Sequence, residues 1–194
     1  LAALGELGAA VGSSEWVDDF LRQALEGYRT FTSRVVAATL GADRHWSRAQ
    51  AGAGLLRLCA LPRLLHLFRS LSPEATENFA EAADATSQAA YEQVLTAKLT
   101  TASQQNQAAL PTRLGGCGML RFKDLRAQAW LGSWLGVLPA VRALAGPGLT
   151  TREVITGSTK AWAAALRRAV EELAADGVHL DHAGEVAKEP PAAA

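Results

Sequence analysis

The chain has 194 residues, and its 19 basic and 19 acidic side chains leave a formal net charge of zero. A content of 49% hydrophobic and 20% charged residues excludes an intrinsically disordered chain and suits one globular domain with a core. Two cysteines are too few for a disulfide framework or a zinc site. Cys59 and Cys117 are therefore expected to be small buried side chains of an intracellular protein, cytoplasmic or nuclear.

Abundant alanine and an aromatic content of only 6% favour helices over strands. No stretch alternates apolar and polar residues as a half-buried strand would, so we predict an all-α fold, an irregular bundle of five to seven helices. No apolar run reaches the roughly 20 residues of a membrane span, and no membrane is expected among the partners. Residues 1–12 lack the basic region of a signal peptide and are predicted to be a glycine-spaced connector.

The first helix is predicted over residues 13–40. Ser13 or Ser14 is a suitable N-cap, and acidic residues follow in the first turns, where the helix dipole favours anions. Adjacent aspartates bind metal ions when they lie in a β-hairpin, but neighbouring side chains on a helix point about 100° apart. We therefore predict that Asp18 and Asp19 lie near the helix N-terminus and do not converge on a metal.

A second helix is predicted from Asp43, and Pro62 is expected to interrupt it as the first-turn residue of a shorter helix. The Ser-Pro-Glu sequence at residues 72–74 predicts the start of a third helix that reaches about Leu99. Polar residues 100–107 are expected to connect this helix to the next feature.

That feature is a proline-glycine corner. Pro111 lacks an amide hydrogen and ends the preceding segment, and the glycines that follow allow positive φ at low cost. The next helix is predicted over residues 123–137, with Pro139 starting a short continuation. We predict a packed structural corner made of Leu110, Pro111, Gly115, Gly116, Gly118, Trp130 and Trp134, with Leu110, Leu114 and both tryptophans buried together.

A last helix is predicted within residues 146–177, as an element separate from the helical domain of residues 13–145. Residues 178–194 contain too little apolar surface to order themselves and are predicted to be a disordered tail. His179 and His182 lie in this tail, and nothing upstream completes a metal site with them. No metal and no cofactor is predicted.

Charge is distributed unevenly along the chain. Residues 43–71 carry five arginines against one aspartate, residues 74–92 carry five acids and no base, and residues 98–142 carry six bases against one acid. Two interpretations fit this pattern. The basic and acidic segments match each other within the molecule, or the basic segments form a track for a phosphate backbone.

Three blocks of sequence occur in a characteristic order. The first is LGAAVGS at residues 7–13, followed by Glu15 and Phe20. The second comprises LLR at 55–57, PR at 62–63, HLFR at 66–69 and SP at 72–73, with Asp84 on the next helix. The third comprises the QAALPTRLGGCG sequence at 107–118 and AWLGSW at 129–134. Together they resemble the thumb and the downstream helical region of non-LTR retrotransposon-type reverse transcriptases.

The resemblance implies a non-catalytic helical fragment without the palm, taken from a parent RNA-directed DNA polymerase. The start at Leu1 and the single methionine, Met119, also lead us to expect a fragment. The implied partner is an RNA/DNA duplex, bound through the parent protein. The candidate contacts to the nucleic-acid backbone are Arg57, Arg63, Arg69, Arg113, Arg121 and Lys123.

Two alternatives remain open at this point. The first is a helical protein-interaction or scaffold domain with no nucleic-acid role, which zero net charge permits. The second is a small helical enzyme that uses Cys117 or the pair His179 and His182. An exposed apolar groove would favour the first alternative, and a histidine or acid within hydrogen-bond reach of Cys117 would favour the second.

Overall fold

The computed structural model describes residues 13–40, 46–145 and 161–175. These residues form helices joined by turns and contain no strand, which confirms the prediction of an all-α fold. The α-helices are α1 (Ser14–Thr39), α2 (Trp46–Leu55), α3 (Pro62–Ser70), α4 (Glu77–Leu95), α5 (Ala102–Ala109), α6 (Phe122–Ala145) and α7 (Ala161–Ala175). The predicted connector, residues 1–12, and the predicted tail, residues 178–194, lie outside the described residues.

Helix α1 begins as its sequence predicts. The Ser13 hydroxyl accepts a hydrogen bond from the backbone N–H of Trp16 at 3.4 Å, which satisfies one of the free amides at the helix N-terminus. Asp18 and Asp19 lie on the first turns of this helix and are exposed, and Asp19 pairs with Arg22 at 2.7 Å. The prediction that the aspartate pair belongs to a helix is confirmed.

Helices α2 and α3 are joined by a π-helical turn over Leu56–Ala60. Pro62 occupies the first turn of α3, as predicted, and it cannot donate to the carbonyl of Leu58 four residues earlier. Leu58 is 65% exposed, so water can reach that carbonyl. The π turn therefore lies where the proline already interrupts regular hydrogen bonding.

The combined helix Arg48–Ser70 has a mean hydropathy of 1.3 and is long and apolar enough to cross a membrane by length and composition. Among the described residues no other helix meets these criteria. In the most apolar 18-residue stretch of this helix 39% is buried inside the structure, and Leu61, Leu67 and Phe68 are core residues. A core helix meets the same criteria, so these numbers alone do not assign a membrane role.

The main core lies between α1, α3, α4 and the first turn of α6. Phe68 and Phe122 are fully buried, and their rings stack with centroids 5.1 Å apart. The Tyr28 ring meets Phe122 edge-on at 6.2 Å, and its hydroxyl bonds to Ser87 at 2.8 Å. Burial raises the pKa of Tyr28 to about 12.

A second apolar cluster joins α6 to α7. It contains Trp130 and Leu131 from α6, packed against Leu166, Ala169 and Leu173 from α7. This cluster is distinct from the main core, and α7 docks on the first half and the middle of α6, around Trp130.

The boundaries of α4 differ from the prediction. Residues 73–76 form a turn, and α4 begins at Glu77 after the fully buried Thr76. The Thr76 side chain bonds to the Ser72 carbonyl at 3.1 Å. The helix ends at Leu95, before the predicted Leu99, because Thr96 adopts a left-handed conformation with φ 51°.

Helix α5 was predicted to be a connection, and that prediction is wrong. Thr101 and Gln104 form a capping box, in which each side chain bonds to the backbone of the other residue. This reciprocal pair starts a helix of eight residues in a polar segment without a long apolar stripe.

Gly52 on α2 allows three helices to approach closely. A Cβ atom at this position would overlap the Thr39 hydroxyl, and it would lie 2.9 Å from Thr39 Cγ2 and 3.1 Å from Val94 Cγ1. A Cβ atom on Gly54, two residues further along α2, would have no atom within 4 Å. The two glycines of α2 therefore differ in what they contribute to packing.

We predict that Gly52→Ala lowers the free energy of unfolding by about 1–3 kcal/mol, because the methyl must displace Thr39 and Val94. Gly54→Ala is the matched control, and it should raise stability by up to about 1 kcal/mol through helix propensity. Urea denaturation followed by circular dichroism measures both changes. Equal denaturation midpoints for the two variants would contradict the close approach of the helices.

Candidate functional site

The proline-glycine corner folds back on the end of α5. The amides of Cys117 and Met119 both donate to the Ala108 carbonyl at 3.1 Å, and the Gly118 amide donates to the Leu110 carbonyl at 2.9 Å. Gly115 has φ 79° and Gly118 has φ 65°, in the left-handed region that favours glycine. The prediction of an irregular glycine turn is confirmed.

Gly116 is a glycine for a different reason. Its backbone lies so close to α5 that a Cβ atom would overlap the Leu110 carbonyl and approach the Gln107 oxygen to 2.7 Å. The corner therefore needs two glycines for backbone conformation and one for lack of space.

The predicted burial of four side chains at the corner is wrong for the leucines. Leu110 is 38% exposed and Leu114 is 58% exposed. Trp130 is buried and Trp134 is half-buried, but they contact each other at 5.8 Å within the α6–α7 cluster. Met119 and Phe122 occupy the buried positions after the corner, because the turn directs α6 across α3 and α4.

Arg57 is half-buried beside the corner. One of its guanidinium nitrogens donates to the Thr112 hydroxyl at 3.2 Å, and its Cδ lies 2.7 Å from where a Cβ on Gly118 would be. No described acid is within ion-pair distance of Arg57.

Arg121 and Lys123 are paired within the molecule. Arg121 contacts Asp124 at 2.8 Å and donates to the Asn106 side chain at 2.9 Å. Lys123 contacts Glu81 on α4 at 3.1 Å. These two candidate contacts already have partners of opposite charge or hydrogen-bond acceptors.

The remaining candidate cations are exposed on the surface. The Arg63 guanidinium lies 4.1 Å above the ring of Phe31, a cation–π contact that leaves its edges open to solvent. Arg69, in the last turn of α3, and Arg113, in a short 3₁₀ turn, make no ion pair with any described residue. The six candidates therefore differ in how accessible they are to a phosphate, since two are paired, one is half-buried and three are exposed.

Arg126 is a buried cation that the sequence analysis did not select. It is only 9% exposed, and it contacts Glu172 at 3.2 Å, Glu77 at 3.6 Å and the Pro73 carbonyl at 2.8 Å. Arg126 follows Phe122 by four residues and precedes Trp130 by four, so it lies on the buried stripe of α6. This spacing is visible in the sequence and indicated that Arg126 lies on the buried face of the helix.

Asp84 holds the N-terminus of α6. Its carboxylate accepts hydrogen bonds from the amides of Phe122 at 2.7 Å and Lys123 at 3.0 Å. Burial raises the pKa of Asp84 above its ordinary value, although the two backbone hydrogen bonds act in the opposite direction. The aspartate therefore connects the acidic helix to the segment that follows the corner.

Four of the five acids in the acidic segment, residues 74–92, form ion pairs within the molecule. Glu74 pairs with Arg168 at 3.1 Å, Glu77 with Arg126, Glu81 with Lys123, and Glu92 with Lys98 at 2.9 Å. The interpretation of intramolecular charge matching is confirmed for Lys98, Lys123 and Arg126 of the second basic segment. It is wrong for Arg113 and for Arg57, Arg63 and Arg69, which pair with none of these acids.

An open cleft of about 460 Å³ lies between α2, the end of α4 and the corner. Small or apolar residues form most of its walls: Ala49, Ala53, Gly54, Leu95, Gly116 and Cys117. Gln50, Arg57 and Thr112 are its polar residues. The cleft therefore presents one cation against an apolar surface.

The two cysteines and the histidines provide no catalytic set among the described residues. Cys59 is exposed, which corrects the prediction of a buried side chain, and Cys117 is half-buried. No hydrogen bond joins Cys117 to a described histidine or acid, and no three metal-ligating side chains cluster within the described ranges. His179 and His182 lie outside them.

The Tyr91 hydroxyl is buried near the corner and has no hydrogen-bond partner among the described residues. Burial is the main cause that raises its pKa. Electrostatic interactions with Cys117 and Tyr28 raise the pKa further, and the positive charge of Arg57 lowers it.

No protein-family model, no curated protein and no solved structure matches this chain. The resemblance to the thumb region of non-LTR-type reverse transcriptases therefore stays a prediction from the sequence blocks.

Glu92 is hydrogen-bonded to the segment that follows α4. It accepts hydrogen bonds from Gln88 Nε2 at 3.0 Å, Lys98 Nζ at 2.9 Å and the Leu99 amide at 3.1 Å. These bonds, the one from Gln88 first, lower the pKa of Glu92 from 4.5 to about 2. The folded chain therefore favours the charged carboxylate.

We predict that Glu92→Gln destabilises the fold at neutral pH and that this loss disappears in acid. Because the folded pKa is lowered, the contribution of Glu92 is fully present above pH 4.5 and is lost as the pH falls towards 2. Urea denaturation of both proteins from pH 7 to pH 3 measures the difference. A difference that stays constant over this range would contradict the assignment.

Proposed function

We propose that this chain is a non-catalytic helical scaffold, of the kind that lies downstream of the polymerase centre in non-LTR-type reverse transcriptases. One observation carries the proposal: residues of the second and third resembling blocks contact one another. Arg57 of the second block packs on Gly118 of the third, and Asp84 caps the helix that follows the third block. These motif residues therefore hold parts of the fold together, which is the role expected of a scaffold.

Fewer than the six candidate residues are available for the nucleic-acid contact that the resemblance implies. Arg121 and Lys123 neutralise Asp124 and Glu81, and Arg57 is half-buried in the cleft. Arg69 and Arg113 are exposed without an acidic partner among the described residues. We propose these two arginines as the main contacts to the phosphate backbone, with Arg63 as a weaker one because it lies over Phe31.

A second candidate function is a protein-interaction domain with no nucleic-acid role. The exposed leucines of the corner, Leu110, Leu114 and Leu120, support it together with the apolar cleft beside them. Under this proposal the charge pairs serve only to hold the helices together.

We predict that the chain binds an RNA–DNA hybrid weakly and without sequence preference. The logarithm of affinity should fall with the logarithm of salt concentration, with a slope of about −0.9 per neutralised phosphate on B-form DNA and of the same order on a hybrid. The double variant Arg69→Gln with Arg113→Gln should reduce this slope by about 2. Fluorescence anisotropy with a labelled hybrid at several salt concentrations measures the slope.

The matched control is Arg22→Gln with Arg29→Gln, which removes the same charge from exposed ion pairs of α1. It should leave the slope within about 0.5 of the unmodified chain's. If both double variants change the slope equally, binding reflects overall charge alone. If no salt-dependent binding is seen at low ionic strength, the nucleic-acid role is wrong and the protein-interaction role is favoured.

A further inference from the structure

The cleft beside the corner contains an arginine with unused hydrogen-bonding capacity. A guanidinium group has five N–H donors, and Arg57 uses one of them on Thr112. No acid and no other acceptor among the described residues bonds to it. The bond to Thr112 is exposed, so the remaining donors of the guanidinium face the open cleft and are available to an anion.

The position of Arg57 is fixed by its surroundings. Its stem passes over Gly118, where a Cβ atom would come within 2.7 Å of Cδ, and its head is held by the Thr112 hydroxyl. Both contacts belong to the corner, whose backbone is tied to α5 by hydrogen bonds to the Ala108 and Leu110 carbonyls. The guanidinium is thus oriented before any ligand binds, which lowers the entropic cost of binding.

The chemistry of the cleft selects the ligand. The amides of Gly116, Cys117 and Gly118 already donate to carbonyls of the corner and α5, so they are not free to bind a terminal carboxylate or a phosphate. The available donors are the fork of Arg57, the Thr112 hydroxyl and the Gln50 amide, and the Arg57 fork matches one side-chain carboxylate in a bidentate arrangement. The remaining lining residues are small or apolar.

We infer that this cleft binds a peptide segment of a partner protein, in which an aspartate or glutamate stands next to an apolar side chain. The carboxylate pairs with Arg57, and the apolar side chain packs against Ala53, Gly54 and Leu95. This site does not depend on nucleic-acid binding, because it uses neither Arg69 nor the phosphate backbone.

Selection of a random twelve-residue peptide library displayed on phage, against the whole chain, tests the inference. We expect the selected peptides to carry an acid beside a leucine, isoleucine, valine or phenylalanine. Their synthetic versions should bind the unmodified chain about tenfold or more tightly than Arg57→Gln, as for truncation of one partner of a charge pair. Replacing the acid of a selected peptide by its amide should have the same effect.

A steric variant keeps the test independent of the stability of the corner. Gly54 opens onto the cleft with no atom within 4 Å of a built Cβ, so Gly54→Leu should fill the cleft and abolish peptide binding while favouring the helix. The matched control is Gly27→Leu on α1, where a Cβ also meets no atom within 4 Å. It should leave binding unchanged, and circular dichroism should show all variants folded.

Three results with selected peptides would overturn the inference. They are selected peptides without an acid, equal binding by the unmodified chain and by Arg57→Gln, and undiminished binding by a folded Gly54→Leu variant. The failure of the library to yield any peptide that binds saturably at concentrations up to about 1 mM would do so as well. None of these results bears on the salt-dependent binding of a hybrid through Arg69 and Arg113.

Discussion

The acidic face of α4 is the feature on which the other helices depend. Its carboxylates reach α6 through Lys123 and Arg126 and cap α6 through Asp84, and Glu74, in the turn just before α4, reaches α7 through Arg168. Each exposed ion pair contributes little to the stability of the fold. The buried Arg126 guanidinium and the Asp84 helix cap contribute more, because removal of one partner would leave the other without a hydrogen bond. A chain with zero net charge can therefore be strongly organised by charge, since opposite signs are placed on different helices.

The corner supplies the second constraint, which is steric. Gly116 must lie against the Leu110 carbonyl, and Gly118 must pass beneath the stem of Arg57. These approaches set the direction in which the chain enters α6, and they leave Leu110 and Leu114 facing outwards. The same arrangement opens the cleft between α2 and the corner, so the apolar surface and the oriented arginine arise from one set of packing contacts.

Features that depend on near neighbours were predictable from the sequence. The N-cap of α1, Pro62 at the start of α3 and the glycine turn all follow from local backbone chemistry. The packing of the corner was not predictable, because the direction of α6 depends on Asp84, 38 residues before Phe122. Helix α5 could have been predicted, since the Thr101 and Gln104 capping box is visible in the sequence.

The candidate site shows the same division. The resemblance and the basic segment singled out Arg57 but could not indicate that it lies alone in a cleft while Lys123 is paired with Glu81 on α4. Arg126 was overlooked because a cation within an apolar stripe is an exception to simple patterning, and its partners Glu77 and Glu172 lie far away in sequence. Pairing between distant segments is a property of the fold, and composition and local spacing do not determine it.

The contribution of Asp84 to stability tests most directly whether the acidic face of α4 organises the fold. Urea denaturation should show that Asp84→Ala lowers the free energy of unfolding by about 1–2 kcal/mol, the cost of a lost helix cap. Asp18→Ala, which removes an exposed acid from the first turns of α1, should cost less than about 0.5 kcal/mol. An Asp84→Ala variant as stable as the unmodified chain would contradict the organising role of α4.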